Sequence, residues 1–540
     1  MRALRALGLI LAALALLAGA AAPPAPAADP DVRIPPTEDR PPAGHRLSAI
    51  AVAAIADRVP KVRAVRRTHR HSTRTAFLKG ADRWQVSYFS RGKEIAQVVL
   101  VDRTGAVAEA WTGFQVAWTM ARGYPGAFGR RASALYVWLP LCALFLLPFL
   151  DPRRLRRWLH LDLLVLLALS VSLAFFSHGR IGLSVPLVYP VLLYLLVRML
   201  ALARRPPAER PEPLKLLVPA SWLAIALLFL VGFRVGLNVT NSNVIDVGYS
   251  GVVGAHKIAE GKRLYGAFPR DDPHGDTYGP VTYLAYVPAE RAFGWSGRWD
   301  DLPAAHAAAV LFDLFTMLGL WLLGRRLRGP TMGLALAYAW ATYPFTLFCL
   351  ETNSNDGLVA LLVVGALLAA TSPAGRGALG ALAGLAKFAP LALAPLLARG
   401  AGAVTRRGLL LFAAAFALVA VAVTLPVLHG DARLLYDRTL GFQASRGSPF
   451  SVWGLYGLPH AAQILVEIGA VVLAVAVAFL PRRTRGVRDV AALSAAVLIA
   501  LQLGVTHWFY LYVTWFFAPV LVALLCAYGE PVKRSRAAPA

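Results

Sequence analysis

Apolar residues recur along most of the chain in blocks of about 18–22 residues, with short polar segments between them. A helix needs roughly 20 such residues to cross the hydrocarbon core of a bilayer. The segment Leu214–Arg234 also lacks the polar stripe of a soluble helix. The pattern predicts an all-α polytopic membrane protein with about eleven transmembrane helices. The predicted spans are residues 133–150, 159–177, 180–203, 214–235, 304–324, 331–350, 356–371, 407–428, 460–480, 489–505 and 508–528.

One further apolar run, Ala378–Leu397, does not fit as a span. Arg376 precedes it and Arg399 follows it, and basic residues favour the cytoplasmic side of a membrane. Pro390 and Pro395 would also interrupt a regular helix. We therefore expect a re-entrant segment that enters and leaves on one face, buried within the protein.

The formal net charge is +26, which would fit a nucleic-acid partner if the charge were concentrated on one surface. The basic residues lie instead in short clusters between apolar blocks, for example at 153–157, 325–328 and 482–485. That distribution orients membrane helices, so we expect no nucleic-acid partner. With these clusters in the cytoplasm, the loops 236–303 and 429–460 lie outside, and residues 529–540 form a cytoplasmic tail.

Residues 1–28 have the pattern of a secretory signal peptide. Arg2 and Arg5 precede an apolar stretch, and small residues around Ala27 form a cleavage site. An uncleaved anchor is the alternative, and either version places the following residues outside the cytoplasm. Residues 29–44 are rich in Pro, Ala and charge, which predicts a flexible linker.

Residues 45–129 have the composition of a small soluble domain. Helical apolar spacing covers Leu47–Arg58, and alternating runs at 84–88, 94–101 and 107–111 predict strands separated by turns. A helix followed by antiparallel strands, with VDRTGAVAEAWTG in the last hairpin, resembles the PepSY family. The resemblance implies a small extracytoplasmic α+β domain with a binding or regulatory role, and no catalytic residue follows from it. All three cysteines lie in apolar blocks, so no disulfide framework is expected.

Two charged residues stand out for their positions near the membrane. Asp246 lies about ten residues beyond a predicted span, where a carboxylate can act as a general base for an acceptor hydroxyl. A solvated loop aspartate is the alternative. Lys387 lies near the middle of the re-entrant run, where a lysine costs about 2.5–3.5 kcal/mol and needs a partner or an aqueous cavity. Snorkelling to the interface is its alternative.

Further candidates have competing structural explanations. Arg446 offers a planar fork for phosphate oxygens, or it contacts lipid headgroups. Asp313 lies mid-span, with His306 on about the same helical face, and either serves a site or joins two helices. His507 lines a cavity or belongs to an aromatic interfacial belt. Asp356 is interpreted as a helix N-cap. We expect no metal site, because Asp271, Asp272 and Asp276 lack a convincing spacing for one.

Several motifs occur in order across residues 215–528. They are the acidic residue of the first outer loop, YGP with Tyr278, YLAYVP, KFAPLALAPLL and SRGSPFSVWGLYG. Together they resemble the GT-C membrane glycosyltransferases, most closely the actinobacterial polyprenol-phosphate-mannose-dependent group and its uncharacterised relatives. The core would then be residues 214–528, with three additional spans at 133–203 between it and the exported domain.

The resemblance implies transfer of a mannose-like sugar from a polyprenyl-phosphate donor to an extracytoplasmic glycan or glycolipid, in contact with membrane lipids and without a cofactor. Asp246 would activate the acceptor, while Lys387 and Arg446 would bind the donor phosphate. Tyr278, His507 and Asp313 are the remaining candidates for substrate binding.

Two other classes compete with this interpretation. A transporter would show paired halves with interrupted helices at corresponding positions, and only one interrupted segment is evident. A non-catalytic sensor or scaffold would bind its ligand through the PepSY-like domain. The long outer loops, dense in charged and aromatic residues, are more than a scaffold requires.

Overall fold

The computed structural model describes residues 32–123, 129–154, 156–206, 208–209, 211–269, 271–299 and 301–529. The chain divides into two compact units, one with residues 32–123 and the turn 175–181, the other with the remaining described residues. The predicted signal peptide and all of the predicted tail except Gly529 lie outside the described residues.

The first unit is an antiparallel sheet with helices, which confirms the predicted small N-terminal sheet. Its strands follow one another in the sheet in chain order. They are β1 (Val32–Arg33), β2 (Thr73–Lys79), β3 (Arg83–Ser90), β4 (Lys93–Val101) and β5 (Val107–Thr112). Its helices are α1 (Ala49–Asp57), α2 (Pro60–Thr68) and α3 (Phe114–Ala117).

The fold of this unit begins earlier than the pattern suggested. β1 lies within the predicted linker 29–44, and Val32 pairs with Lys79 of β2. Neither α2 nor β2 was predicted, because both are rich in Arg and Thr and show little apolar alternation. The core lies between the sheet and α1, where Trp84, Val86 and Val52 are fully buried.

A buried carboxylate joins the start of this unit to its sheet. Asp102 accepts hydrogen bonds from the backbone N–H groups of Arg46 (2.7 Å) and Leu47 (3.1 Å) and from Nε1 of Trp84 (2.8 Å). Burial alone would raise the pKa of Asp102, but these donors outweigh it and the pKa is lowered. One carboxylate therefore satisfies three donors, and it fixes the segment before α1 against the sheet.

We predict that Asp102→Ala destabilises the first unit by roughly 3 kcal/mol, because three donors lose their acceptor. Hydrogen exchange at the amides of Arg46 and Leu47 measures the loss. Asp82→Ala is the control: its side chain is 76% exposed, so it should change stability by less than about 0.5 kcal/mol. Equal exchange rates in the two variants would contradict the role of Asp102.

The regular elements in the described part of the second unit are all helices. Its first helices are α4 (Leu135–Leu146), α5 (Trp158–Ser177), α6 (Ile181–Arg204), α7 (Ala220–Asn241), α8 (Asp246–Ala259), α9 (Pro280–Phe293), α10 (Pro303–Arg328) and α11 (Pro330–Thr342). The next are α12 (Pro344–Glu351), α13 (Asp356–Leu368), α14 (Pro373–Ala386), α15 (Ala394–Arg399) and α16 (Arg406–Leu428). The last are α17 (Ala432–Tyr436), α18 (Phe442–Ser445), α19 (Val452–Tyr456), α20 (His460–Phe479), α21 (Val487–Gly504) and α22 (Val513–Leu525).

Several of these helices are long and apolar enough to cross a membrane, so the multi-pass prediction is confirmed, but the count of eleven is not. Among the described residues seven helices qualify, namely α5, α6, α7, α10, α16, α20 and α21, or eight if α11 and α12 form one span. The predicted span 331–350 is bent by 60° between α11 and α12, where Pro344 interrupts the helix. Near the predicted spans 133–150, 356–371 and 508–528 the apolar helices are shorter.

The run predicted to be re-entrant is a helical hairpin. α14 ends at Ala386, Lys387 is extended, and a 3₁₀ turn leads into α15. The guanidinium of Arg376, near the start of α14, donates to the backbone carbonyls of Leu397 and Arg399 at the end of α15. The two ends of the segment therefore lie side by side.

Arginines from several basic clusters meet at one end of the helical unit. Arg326 donates to the carbonyl of Leu368, the last residue of α13 (3.1 Å), and Arg483 donates to that of Ala203 near the end of α6 (2.8 Å). Helix C-termini leave carbonyls without intrahelical partners, and cations there are favoured by the helix dipole. We call this region, with Arg376, the arginine end.

Candidate functional site

Asp246 is the first residue of α8, where an extended segment turns into the helix. The N–H groups of Asn243 and Ile245 donate to the carbonyls of Glu351 (3.1 Å) and Thr352 (3.2 Å), which ties this segment to the end of α12. The Asp246 side chain is exposed, yet burial raises the pKa of its carboxyl. The carboxyl is therefore reached by solvent on one side and surrounded by protein on the others, and we call this position a recess.

Charges from other segments surround Asp246. Burial has the largest effect on its pKa and raises it, while Arg446, the N–H of Val247 and the Lys387 ammonium lower it. The Asp356 carboxylate raises it further. Arg446 lies between α18 and α19, Lys387 lies at the break of the hairpin, and Asp356 begins α13. Four segments far apart in sequence thus place charged groups around one recess.

Lys387 and Asp356 form a buried ion pair. Nζ of Lys387 lies 2.6 Å from Oδ1 of Asp356, and the two residues are 8% and 1% exposed. Trp515 Nε1 donates to Oδ1 (2.8 Å) and the Ser354 hydroxyl donates to Oδ2 (2.7 Å). The snorkelling alternative for Lys387 is therefore wrong, because the ammonium is buried. The N-cap interpretation of Asp356 is also wrong, since its carboxylate is occupied by these side chains and caps no helix.

Aromatic rings complete the surroundings of the lysine. Its Nζ lies 5.3 Å from the ring centroid of Tyr278, 5.6 Å from that of Tyr512 and 5.3 Å from that of Trp515. Ring faces attract cations within about 6 Å, most strongly where water is excluded. One carboxylate and three rings therefore hold the ammonium at the edge of the recess.

The YGP motif holds the hairpin break in place. The N–H of Gly279 and the hydroxyl of Thr282 donate to the carbonyl of Ala386 (3.2 and 2.8 Å), where α14 ends. A Cβ on Gly279 would lie 2.0 Å from the carbonyl oxygen of Leu385, so only glycine allows this approach. The close contact places Tyr278, the preceding residue, over Lys387.

His507 belongs to the same cluster of side chains. Its Nδ1 lies 2.9 Å from the Ser448 hydroxyl, in the loop that carries Arg446. Burial lowers the pKa of His507 well below its usual value, and Arg446 and Lys387 lower it further. The imidazole is therefore neutral near pH 7 and can donate or accept a single hydrogen bond at each nitrogen. Burial raises the pKa of Tyr278, with a further contribution from Asp246.

The structure thus brings together five of the six predicted site residues. These are Asp246, Tyr278, Lys387, Arg446 and His507, and with Asp356 they define what we call the Asp246 recess. Asp356 begins α13, and the last residue of α13 lies at the arginine end. The recess and the arginine end are therefore separated by the length of that helix, about 18 Å.

Asp313 is the exception. Its two carboxylate oxygens accept from Nη2 and Nε of Arg234 on α7 (2.6 and 2.9 Å), and Trp340 Nε1 donates to Oδ1 (2.8 Å). His306 does not pair with it and lies instead 3.1 Å from the side chains of Ser242 and Asn238. Of the two alternatives for Asp313, the one in which it joins two helices is confirmed. Asp313 connects α10 to α7 through Arg234 and is not part of the recess.

The two predicted outer loops are bound to each other. Arg438 contacts both carboxylate oxygens of Asp276 (2.6 and 2.7 Å), and Arg263 pairs with Asp431 (3.0 Å). Both pairs join the segment between α8 and α9 to the segment after α16. They connect the loop that carries Arg446 to the loop that carries Asp246.

A second carboxyl lies close to Asp246. The Ser250 hydroxyl oxygen is 2.7 Å from the carbonyl oxygen of Asp246 and 2.6 Å from Oδ2 of Asp272. The Ser250 hydroxyl donates to Oδ2 of Asp272, and this hydrogen bond lowers the pKa of the Asp272 carboxyl. Burial raises the pKa of Asp272 to about 7, and the neighbouring carboxylates of Asp246, Asp271 and Asp276 contribute. Burial outweighs the Ser250 hydrogen bond, so Asp272 is protonated below about pH 7 and ionised above it.

The three aspartates considered for a metal have separate partners. Tyr249 donates to Asp271 (3.0 Å), Asp272 contacts Ser250, and Asp276 binds Arg438. Across the described ranges of the chain, no group of three or more His, Cys, Asp or Glu side chains is placed to hold a metal ion.

Other important residues were not predicted from the sequence. Arg234 lies within a block taken as uniformly apolar, and its charge was a signal that could have identified a buried partner. Tyr512 and Trp515 carry no such signal, because aromatic residues are common near membrane interfaces.

Comparison with protein family models, with curated proteins and with solved structures gave no match to the chain.

We predict that Lys387→Met lowers the free energy of unfolding by roughly 3–5 kcal/mol, because Asp356 would remain buried without its partner. Thermal unfolding in detergent measures the change, and the double variant Lys387→Met, Asp356→Asn should recover part of it. Lys262→Met is the control, since the Lys262 side chain is 62% exposed and pairs with Glu260 at the surface. A Lys387→Met protein as stable as this control would contradict the buried pair.

A pH-dependent stability follows from Asp272. Because its pKa is raised to about 7 in the folded chain, the folded state holds a proton that the unfolded state releases near its usual pKa of about 3.9. Stability should therefore fall as pH rises between these values, by up to about 1.4 kcal/mol per pH unit, and level off above them. Asp272→Asn should remove this component of the slope, as measured by unfolding from pH 5 to 8. An unchanged slope in the variant would show that Asp272 is ionised throughout.

Proposed function

We propose that this chain is a GT-C type membrane glycosyltransferase. It would transfer a mannose-like sugar from a polyprenyl-phosphate donor to an extracytoplasmic glycan or glycolipid. The convergence of Asp246, Tyr278, Lys387, Arg446 and His507 on one recess carries the proposal. Asp246, Tyr278, Lys387 and Arg446 come from the motifs that resemble the GT-C family, and His507 lies beside them.

The recess contains groups for both halves of the reaction. The Asp246 carboxylate takes the proton of the acceptor hydroxyl as the acceptor oxygen forms its bond to the anomeric carbon. The bond between that carbon and the phosphate oxygen breaks, and the polyprenyl phosphate departs with the electron pair. Attack opposite the leaving group inverts the anomeric configuration.

Cationic groups lie where the leaving phosphate gains charge. Arg446 presents a planar fork of donors suited to phosphate oxygens, and Lys387 adds a second positive charge. Because Lys387 is already paired with Asp356, its ammonium is held in place before the donor arrives. Fixed charges of this kind stabilise a developing anion without reorganising during the reaction. Neutral His507 supplies a further hydrogen bond without adding to the positive charge.

The proposal includes a topology. Three shorter apolar segments, Leu135–Phe149, Asp356–Leu368 and Tyr510–Leu525, would join the eight spans to make eleven. The hairpin of α14 and α15 would be re-entrant from the cytoplasmic side. The arginine end would face the cytoplasm, and the recess would open at the outer face of the plasma membrane, where the N-terminal PepSY-like unit also lies.

We predict that Asp246→Asn lowers sugar transfer by about 10²- to 10⁴-fold, the usual contribution of a general base. Membranes containing the protein would be supplied with radiolabelled polyprenyl-phosphate sugars, and the labelled glycan would be counted. Asp301→Asn is the matched control, because Asp301 is an exposed carboxylate of the same loop, outside the recess. Transfer at the wild-type rate by Asp246→Asn would refute the mechanism. Absence of transfer by the wild type from every donor would refute the proposed function.

A further inference from the structure

Helix α2 and the turn after it carry charge of only one sign. Residues 58–74 contain seven Lys and Arg, two His and no Asp or Glu. Six of the seven Lys and Arg are exposed in the complete chain. We call this surface the basic face, and its members are Arg58, Lys61, Arg63, Arg66, Arg67, Arg70 and Arg74. The first unit as a whole has sixteen Lys and Arg against seven Asp and Glu over residues 32–123, so the face concentrates its charge.

Little of this charge is neutralised within the chain. Asp57 pairs with Arg66 (2.6 Å) and with Arg74, and it is the acidic partner of the face. In the described part of the chain, no carboxylate lies within ion-pair distance of Arg63, Arg67 or Arg70. These three guanidinium groups are exposed and available to an anion from outside the chain.

The stability of α2 does not account for this arrangement. Arg63 and Arg67 are four residues apart on one helix face, where like charges destabilise a helix. The helix dipole disfavours Lys61 and Arg63 in the first turn and favours Arg66 and Arg67 in the last turn, so its effects on the basic residues largely offset each other. The helix is held instead by Val62, which is fully buried in the core of the unit. A surface needed only for solubility would mix charges of both signs.

We infer that the basic face binds the anionic headgroups of a lipid bilayer. Across residues 58–74 no large apolar side chain is exposed, so the contact would be electrostatic and without insertion into the hydrocarbon. The chain itself provides the proximity: the first apolar helix begins at Leu135, twelve residues after Gly123, the last described residue of this stretch. The unit is therefore tethered close to the bilayer, and anionic lipids there provide the negative charge that the basic face would bind.

The test uses the full chain in nanodiscs, with its three native cysteines replaced by serine. One cysteine is introduced by Ala64→Cys, because Ala64 is exposed on α2 between Arg63 and Arg67. The rate of its reaction with a bulky, charged maleimide is compared in phosphatidylcholine alone and with about one third phosphatidylglycerol. We expect labelling to slow by about an order of magnitude in the anionic nanodiscs. It should recover at roughly 0.5 M salt, which shortens the Debye length below its value of about 8 Å at physiological salt.

Two controls isolate the basic face. Ala81→Cys places the probe on the exposed turn beyond β2, about 20 Å along that strand from its start near α2, and its labelling should not depend on lipid charge. Adding Arg63→Glu, Arg67→Glu and Arg70→Glu to Ala64→Cys should abolish the lipid effect. The same charge change at Arg33, Arg91 and Arg103, exposed residues elsewhere in the unit, should preserve it.

Equal labelling of Ala64→Cys in the two kinds of nanodisc would overturn the inference. Protection by a soluble polyanion such as polyphosphate, together with no effect of anionic lipid, would also overturn it and identify a polymer as the partner. Slowing at Ala64→Cys and Ala81→Cys alike would show a general effect of bilayer charge on the reagent, which contradicts a specific face. None of these outcomes depends on glycosyltransferase activity.

Discussion

The buried pair of Lys387 and Asp356 is the interaction on which the recess depends. Two charges inside a helical unit in a membrane are stable only when they neutralise each other and their remaining hydrogen-bonding groups are satisfied. Meeting that requirement brings the break between α14 and α15 against the start of α13, with Trp515 of α22 beside them. The ion pair therefore holds the break in the hairpin, where Lys387 is extended.

Charged residues have different partners at the two ends of α13 in the helical unit. At the arginine end, guanidinium groups bind helix carbonyls, so their hydrogen-bonding capacity serves the fold. At the recess, Asp246 is open to water, while Arg446, Lys387 and Asp356 act on it electrostatically. Charged groups at the first end stabilise structure, whereas those at the second surround a carboxyl that is exposed to solvent.

The sequence was sufficient to identify charged residues in unusual positions near or within apolar blocks. It was not sufficient to predict which residues they pair with. Asp246 and Lys387 were recognisable because a charge near or within an apolar block needs an explanation. Their partners could not be predicted, since Asp356 is 31 residues from Lys387 along the chain and its position also fitted a helix N-cap. Asp313 was recognisable in the same way, and only the contact with Arg234 shows that it joins helices. The count of eleven spans is not confirmed for a related reason: the bend at Pro344 and the short α13 depend on how neighbouring segments pack, which hydropathy does not encode.

The most direct measurement is a cryo-EM map of the protein in nanodiscs with a bound polyprenyl phosphate. The phosphate is expected within hydrogen-bonding distance of the Arg446 guanidinium and close to Lys387. The Asp246 carboxylate should lie across the recess, on the side from which an acceptor would approach. A phosphate bound at the arginine end, or a recess closed to the lipid by the loop that carries Arg446, would contradict the assignment of this recess as the site of sugar transfer.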